Sequence, residues 1–218
     1  MVLYAVRHGQ TDKNVYGLVQ GQTEADLNEF GIKEAEKLQP LVESLDIDVV
    51  ISSPLRRAKD TAKIITNNKY PINTDDRLIE RNWGMCEGVS IDEVDTVNCW
   101  NFYLNTDDNK IEKVQDLLKR VSEFIEDIKV RYKDKNVLVV THSAILRALH
   151  YCLHPIPEDG DMSKLELPNL RIIEYELKWW WIIVIEIIIF KRVSGWCKLI
   201  IKVIEGSKGA LYLKSSKI

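Results

Sequence analysis

The feature that most constrains this chain is a set of short apolar runs, each closed at its carboxyl end by a polar word. Residues 2–6, 49–51 and 136–141 are too short for buried helices and read as buried strands. Helical patterns separate them. Asn28 is an N-cap candidate for a helix to about residue 45, with Ala35, Leu38, Leu41, Val42 and Leu45 on one face and Pro40 expected to kink or split it. Ser53 and Pro54 read as the N-cap and first residue of a helix to about residue 66. Residues 111–132 place Val114, Leu117, Val121, Phe124, Ile125 and Ile128 at helical spacing, and another helix covers residues 144–153. Residues 72–76 and 170–177 are further strand candidates, and residues 90–97 a short helix. This alternation predicts an α/β fold of three layers, a mostly parallel central sheet with helices on both faces.

In such sheets ligands bind beyond the carboxyl ends of the strands. Arg7-His8 and His142 each follow a strand, and Arg57 lies in the first turn of a predicted helix, so the pattern brings them to one place. Two arginines and two histidines there make a phosphate-handling set. An arginine fork holds two phosphate oxygens at once, and a helix start adds amides and its dipole. An imidazole attacks only when its nitrogen is unprotonated, and its ordinary pKa is about 6.5. The other ring nitrogen then needs a fixed acceptor, expected to be a backbone carbonyl near Gly9.

The words around these residues resemble the histidine phosphatase (phosphoglycerate mutase-like) superfamily, its phosphatase branch. Arg7-His8-Gly9-Gln10-Thr11 with Asn14 matches R-H-G-x-T-x-x-N. Ser53-Pro54-Leu55-Arg56-Arg57, continuing to Thr61-Ala62, is similar to S-P-L-x-R-x-x-x-T-A, with Arg57 in the inner role and Arg56 as its rival. Leu78-Ile79-Glu80, then Gly84 and Glu87-Gly88, resembles L-x-E…G…E-G. Val140-Thr141-His142-Ser143, then Arg147, resembles V-x-H-G-x-x-x-R, with Ser143 in place of the usual glycine. Gln20-Gly21, Leu27, Gly31 and Ala35 extend the likeness, which spans residues 2–177.

The resemblance implies His8, Glu80 and His142 as catalytic residues: nucleophile forming a phosphohistidine, proton donor, and stabiliser of phosphoryl charge. Glu87 is the second candidate for the acid. Arg7, Arg57, Asn14 and Ser143 are implied as substrate phosphate contacts. His142 is expected to act as the imidazolium, so that the two histidines differ in protonation. No metal and no cofactor are required. The implied activity is hydrolysis of small phosphorylated metabolites. The alternatives are mutase-type transfer to a bound product and a non-catalytic binder of phosphorylated ligands. Mutases of the superfamily usually carry a longer insertion between acid and second histidine than the 62 positions from Glu80 to His142, which favours hydrolysis.

The rest of the chain adds limits. At 218 residues it holds one domain with a sizeable core, or a domain plus an appendage, and a net charge of −3 gives no reason to expect nucleic acid as a partner. The four cysteines form no C-x-x-C pair and the first residues lack a signal-peptide lead, so a cytoplasmic protein is expected. His150 and His154 are read as helix-end histidines rather than metal ligands. Arg120, Lys129 and Arg131 are read as a solvated helix face. Trp100, Phe102 and Tyr103 are either pocket lining or ordinary packing. Domains are set at 1–177 and 178–218. The latter begins with a tryptophan- and isoleucine-rich run, and its last 28 residues carry seven Lys or Arg against a single Glu. It is read as a last strand with a tail, as translated frameshift, or as a membrane- or partner-binding appendage. The sequence sets no oligomeric state.

Overall fold

The computed structural model describes residues 1–104, 109–177, 186–189 and 199–202. The chain divides into two units, Met1–Leu177 and Lys178–Ile218. In chain order the first unit contains β1 (Val2–Arg7), α1 (Asp12–Val15), α2 (Glu29–Glu43), β2 (Val49–Ser52), α3 (Arg56–Ile65), β3 (Ile72–Thr74), α4 (Thr96–Cys99), α5 (Val114–Arg131), β4 (Asn136–Thr141), α6 (Ser143–Leu153) and β5 (Ile172–Glu176). Three short 3-10 turns, Asp76–Leu78, Gly84–Cys86 and Ile91–Glu93, lie between β3 and α4.

The five strands form one sheet in the order β3-β2-β4-β1-β5. β3, β2, β4 and β1 run parallel, and β5 closes the edge antiparallel to β1. Alternation along the strands builds the three layers. Leu3, Ala5, Val137 and Val139 face the core under α5 and α6, whereas Tyr4, Val6, Leu138 and Val140 face the core under α2 and α3. A register slip of one residue would exchange the two sets, so the pairing of Ala5 with Val139 is held by packing on both faces.

Several local expectations change. Pro40 does not split α2, which runs to Glu43; Val42, buried in the second core, holds the last turn in place. The proline costs that helix the bond to the carbonyl four residues back. α3 starts at Arg56 rather than at Pro54, with Leu55 as its N-cap residue and no side-chain cap. The short helix expected over residues 90–97 is a 3-10 turn followed by α4, and α5 begins three residues later than its periodicity suggests. In the second unit β6 (Glu186–Ile189), drawn from the apolar run, pairs antiparallel with β7 (Leu199–Lys202). The remainder of the run and the basic end, on which the three readings of residues 178–218 turn, lie outside the described residues.

Candidate active site

β1, β4 and β2 are neighbours, so their carboxyl ends deliver three loops to one edge of the sheet. The ladder continues past the strands. The His8 amide donates to the Thr141 carbonyl at 2.9 Å, and the Ser53 amide donates to the Val140 carbonyl at 3.0 Å. His8, Ser53 and His142 are thereby set side by side by backbone geometry.

His8 is 2% exposed, and its Nδ1 lies 2.7 Å from the Gly9 carbonyl. A carbonyl only accepts, so Nδ1 carries the proton and Nε2 keeps the lone pair. Burial, then the positive charges of Arg57 and Arg7, push the His8 pKa well below its ordinary value, and the Gly9 bond opposes this more weakly. The ring is therefore neutral at neutral pH. The loop behind it is anchored: the Gly9 amide donates to Thr61 Oγ1 at 2.9 Å, and that hydroxyl donates to the Arg57 carbonyl at 2.7 Å.

Arg57 is fully buried in the first turn of α3. Its Nη1 donates to the Thr23 carbonyl and its Nη2 to the Gly21 carbonyl, both at 2.8 Å. Arg56, the rival for the inner role, pairs with Asp26 at 2.9 Å on the exposed side. Arg7 donates from Nη1 to the Leu167 carbonyl at 2.7 Å. The Nε atoms of Arg7 and Arg57, together with His142 Nδ1, are buried without a hydrogen-bond partner. Orphaned donors of this kind are costly unless something else satisfies them. An oxyanion between the two guanidinium groups would do so.

Glu80 is buried, and its Oε1 accepts from the amides of Arg81 at 2.8 Å and Ala144 at 3.2 Å. Burial raises its pKa, against the Arg81 amide and the charges of Arg57, Arg7 and Arg120. A carboxyl so placed can hold a proton for transfer. Glu87 is structural instead. Its Oε1 accepts from the amides of Gln22 at 2.9 Å and Trp83 at 3.3 Å, tying two loops together. Gly21 makes room for this carboxylate. Its φ is +52°, and a Cβ there would stand 2.0 Å from Glu87 Oε1.

His142 is fully buried, with its ring centroid 5.1 Å from that of His8. Burial first, then Arg57, His8 and Arg7, hold its pKa well below the ordinary value. In the free site these surroundings oppose the imidazolium expected of His142. Asn14 is half engaged, since its Oδ1 accepts from the amide and hydroxyl of Thr11 in a capping box, leaving the amide nitrogen for a ligand. Ser143 opens α6. A cavity of about 270 Å³ has Arg7, His8, Asn14, Arg57, Glu80 and Ser143 in its wall. Lys13, Leu18, Trp83 and Ile91 also line it. A second cleft of about 370 Å³ beside α2 contains Phe30, the Lys37–Glu34 pair and Arg171 but none of these acid–base groups.

The sequence reading missed several supports. Arg120 is not on a solvated face. Its Nη1 donates to the carbonyls of Arg77 at 2.6 Å and Ile79 at 2.8 Å, and it pairs with Glu112 at 2.7 Å, so it clamps the loop that carries Glu80. The signal was slight, one charged position among several on a helix read by its apolar positions. Arg81 is buried over the rings of Trp83 and Trp100, and donates to the carbonyls of Glu112 and Cys99. Trp100 is therefore packing, held also by Arg147, and the tryptophan that reaches the cavity is Trp83. His150 and His154 stack with centroids 4.2 Å apart. Among the described residues no group of three or more His, Cys, Asp or Glu could hold a metal ion. Nor is any described helix long and apolar enough to cross a membrane.

The family model described as histidine phosphatase superfamily (branch 1) matches residues 3–185. An uncharacterized phosphatase, PhoE, of Bacillus subtilis (strain 168) is 35% identical over 147 residues, covering 66% of this chain and 72% of that protein. Phosphoserine phosphatase 1 of Hydrogenobacter thermophilus is 32% identical over 169 residues, covering 74% and 78%. Among solved structures, that of Bacillus stearothermophilus YhfR superposes with a TM-score of 0.73 at 27% identity, covering 81% of this chain and 91% of the other.

Proposed function

The chain belongs to the histidine phosphatase superfamily, branch 1, and from that premise we propose that it hydrolyses phosphomonoesters of small metabolites through a phosphohistidine on His8. The observation that carries the reading is one cavity in which a buried His8 with its pKa held low, two arginines with unpartnered Nε atoms and a buried Glu80 with its pKa raised meet. His8 Nε2 attacks phosphorus as the bond to the leaving oxygen breaks, and Glu80 gives that oxygen its proton. Glu80 then takes a proton from water, which attacks the phosphohistidine and returns His8 to its neutral form with release of phosphate. Arg7 and Arg57 hold the nonbridging oxygens, where charge builds in transfer. Asn14 and Ser143 add neutral donors. The reading needs no metal.

The test is phosphate release from a generic aryl phosphate and from phosphoserine, phosphoglycerate and sugar phosphates, without added metal, wild type beside His8→Ala. The expected result is turnover that falls more than roughly 10³-fold in the variant. A folded wild type that released nothing would overturn hydrolysis. A bisphosphoglycerate-dependent mutase assay would then decide whether His8 instead returns the phosphoryl group to a bound product.

A further inference from the structure

We infer that the Ser53 hydroxyl is a positioning residue that fixes the tautomer of His142, so that a neutral imidazole presents an N–H donor to the phosphoryl group. Ser53 Oγ lies 2.7 Å from His142 Nε2, with both residues fully buried. The same Oγ accepts from the Leu55 amide at 3.3 Å. A buried hydroxyl has one proton to place, and a buried donor left unmade is costly. The neighbouring group able to accept it is His142 Nε2. Nε2 therefore holds the lone pair, and the single proton of the neutral ring sits on Nδ1. That Nδ1 is one of the buried nitrogens without a partner, in a ring packed against His8.

The two histidines thus share one tautomer but turn it opposite ways. His8 gives its Nδ1 proton to the Gly9 carbonyl and keeps the Nε2 lone pair for attack. His142 gives its Nε2 lone pair to Ser53 and keeps the Nδ1 proton for an oxygen of the phosphoryl group. The surroundings oppose a second proton on His142. Arg57 from α3, Arg7 and His8 from the end of β1, and Arg120 from α5 all bear on it, and the Glu80 carboxyl approaches α6 through the Ala144 amide. In such a field a donor that needs no extra charge is available across the neutral range. Ser53 is also where the N-cap expectation failed: its hydroxyl faces His142, and α3 starts without a side-chain cap.

The kinetic arm of the test rests on the proposed phosphatase activity, whereas the spectroscopic arm does not. With ¹⁵N-labelled protein, long-range ¹H–¹⁵N correlation at neutral pH reads which ring nitrogen carries the proton. The chain has only four histidines, so His150→Gln and His154→Gln complete the assignment. The expected result is Nδ1–H for His142 in wild type and in Ser53→Thr, which keeps the hydroxyl, with Nε2–H appearing in Ser53→Ala. Expected kinetics are a fall of roughly 10²-fold in kcat for Ser53→Ala, the size of one lost oxyanion donor, with a smaller change in KM and recovery in Ser53→Thr. A proton on Nε2 of His142 in wild type would overturn the inference. So would a Ser53→Ala protein whose tautomer and kcat are unchanged. Absence of turnover in wild type would count against the phosphatase reading alone, and the tautomer would still be decided by the spectra.

Discussion

Replacing Arg120 by methionine keeps an apolar stem and removes every side-chain donor. Two short bonds to carbonyls, at 2.6 Å to Arg77 and 2.8 Å to Ile79, disappear along with the bidentate pair to Glu112. The contact to the Glu80 carbonyl is 3.4 Å and is discounted. A hydrogen bond to a charged group contributes about 1.5–3 kcal/mol. The carbonyls are only partly buried and recover some of this from water, so a stability loss of about 3 kcal/mol is expected. The larger consequence is for Glu80, whose loop loses its clamp, and a displacement of about 1 Å costs on the order of 10²-fold in rate. The loss should depend on the leaving group. An alkyl phosphate needs a proton on its leaving oxygen and should show the whole effect, whereas p-nitrophenyl phosphate, with a stable phenolate, should show little. The assay is kcat on both esters for wild type, Arg120→Met, Glu80→Gln and the double variant. If Arg120 acts through Glu80, the double variant is no worse than Glu80→Gln alone. Equal losses on both esters, or additive effects in the double variant, would refute the reasoning.

Three further outcomes are expected. Because the pKa of His8 and of His142 is held well below the unfolded value of 6.5, the unfolded chain takes up protons first as pH falls through that value. Stability should therefore decline on acidification below it, by up to about 1.4 kcal/mol per histidine per pH unit, and urea midpoints for His142→Gln should decline less steeply. Glu80 has the opposite sign, since its raised pKa gives a contribution that is lost as pH rises from its unfolded value of 4.5 through its folded one. Arg57→Lys keeps the charge but not the fork that meets Thr23, Gly21 and phosphate together. KM for phosphomonoesters should rise about tenfold or more, the equivalent of about 1.4 kcal/mol, and an unchanged KM would count against Arg57 as a phosphate contact. Arg81→Met should lower the urea midpoint by the equivalent of about 3 kcal/mol, because the carbonyls of Glu112 and Cys99 lose their donor inside the tryptophan pair; a midpoint unchanged from wild type would mean that water replaces the guanidinium.

What the sequence determined by itself was whatever depends on neighbours along the chain. The apolar runs at β1, β2 and β4 announce buried strands because a strand covered on both faces needs apolar residues at consecutive positions. The carbonyl that sets the His8 tautomer belongs to the next residue, Gly9, so a local reading sufficed. The choice of Arg57 over Arg56 came from the S-P-L-x-R word that the chain resembles, and one helical turn sends the two adjacent side chains to different faces. Only the tertiary structure decided what depends on groups far apart in sequence. Ser53 meets His142 across 89 positions, and Arg120 meets the carbonyl of Ile79 across 41, so a capping residue and a surface charge, as each looked alone, became parts of the site. The surroundings that bear on His142 were illegible for the same reason. Its pKa answers to burial and to Arg57, Arg7 and Arg120 gathered around it, and that low-dielectric, positive enclosure exists only when the sheet, α3 and α5 have packed.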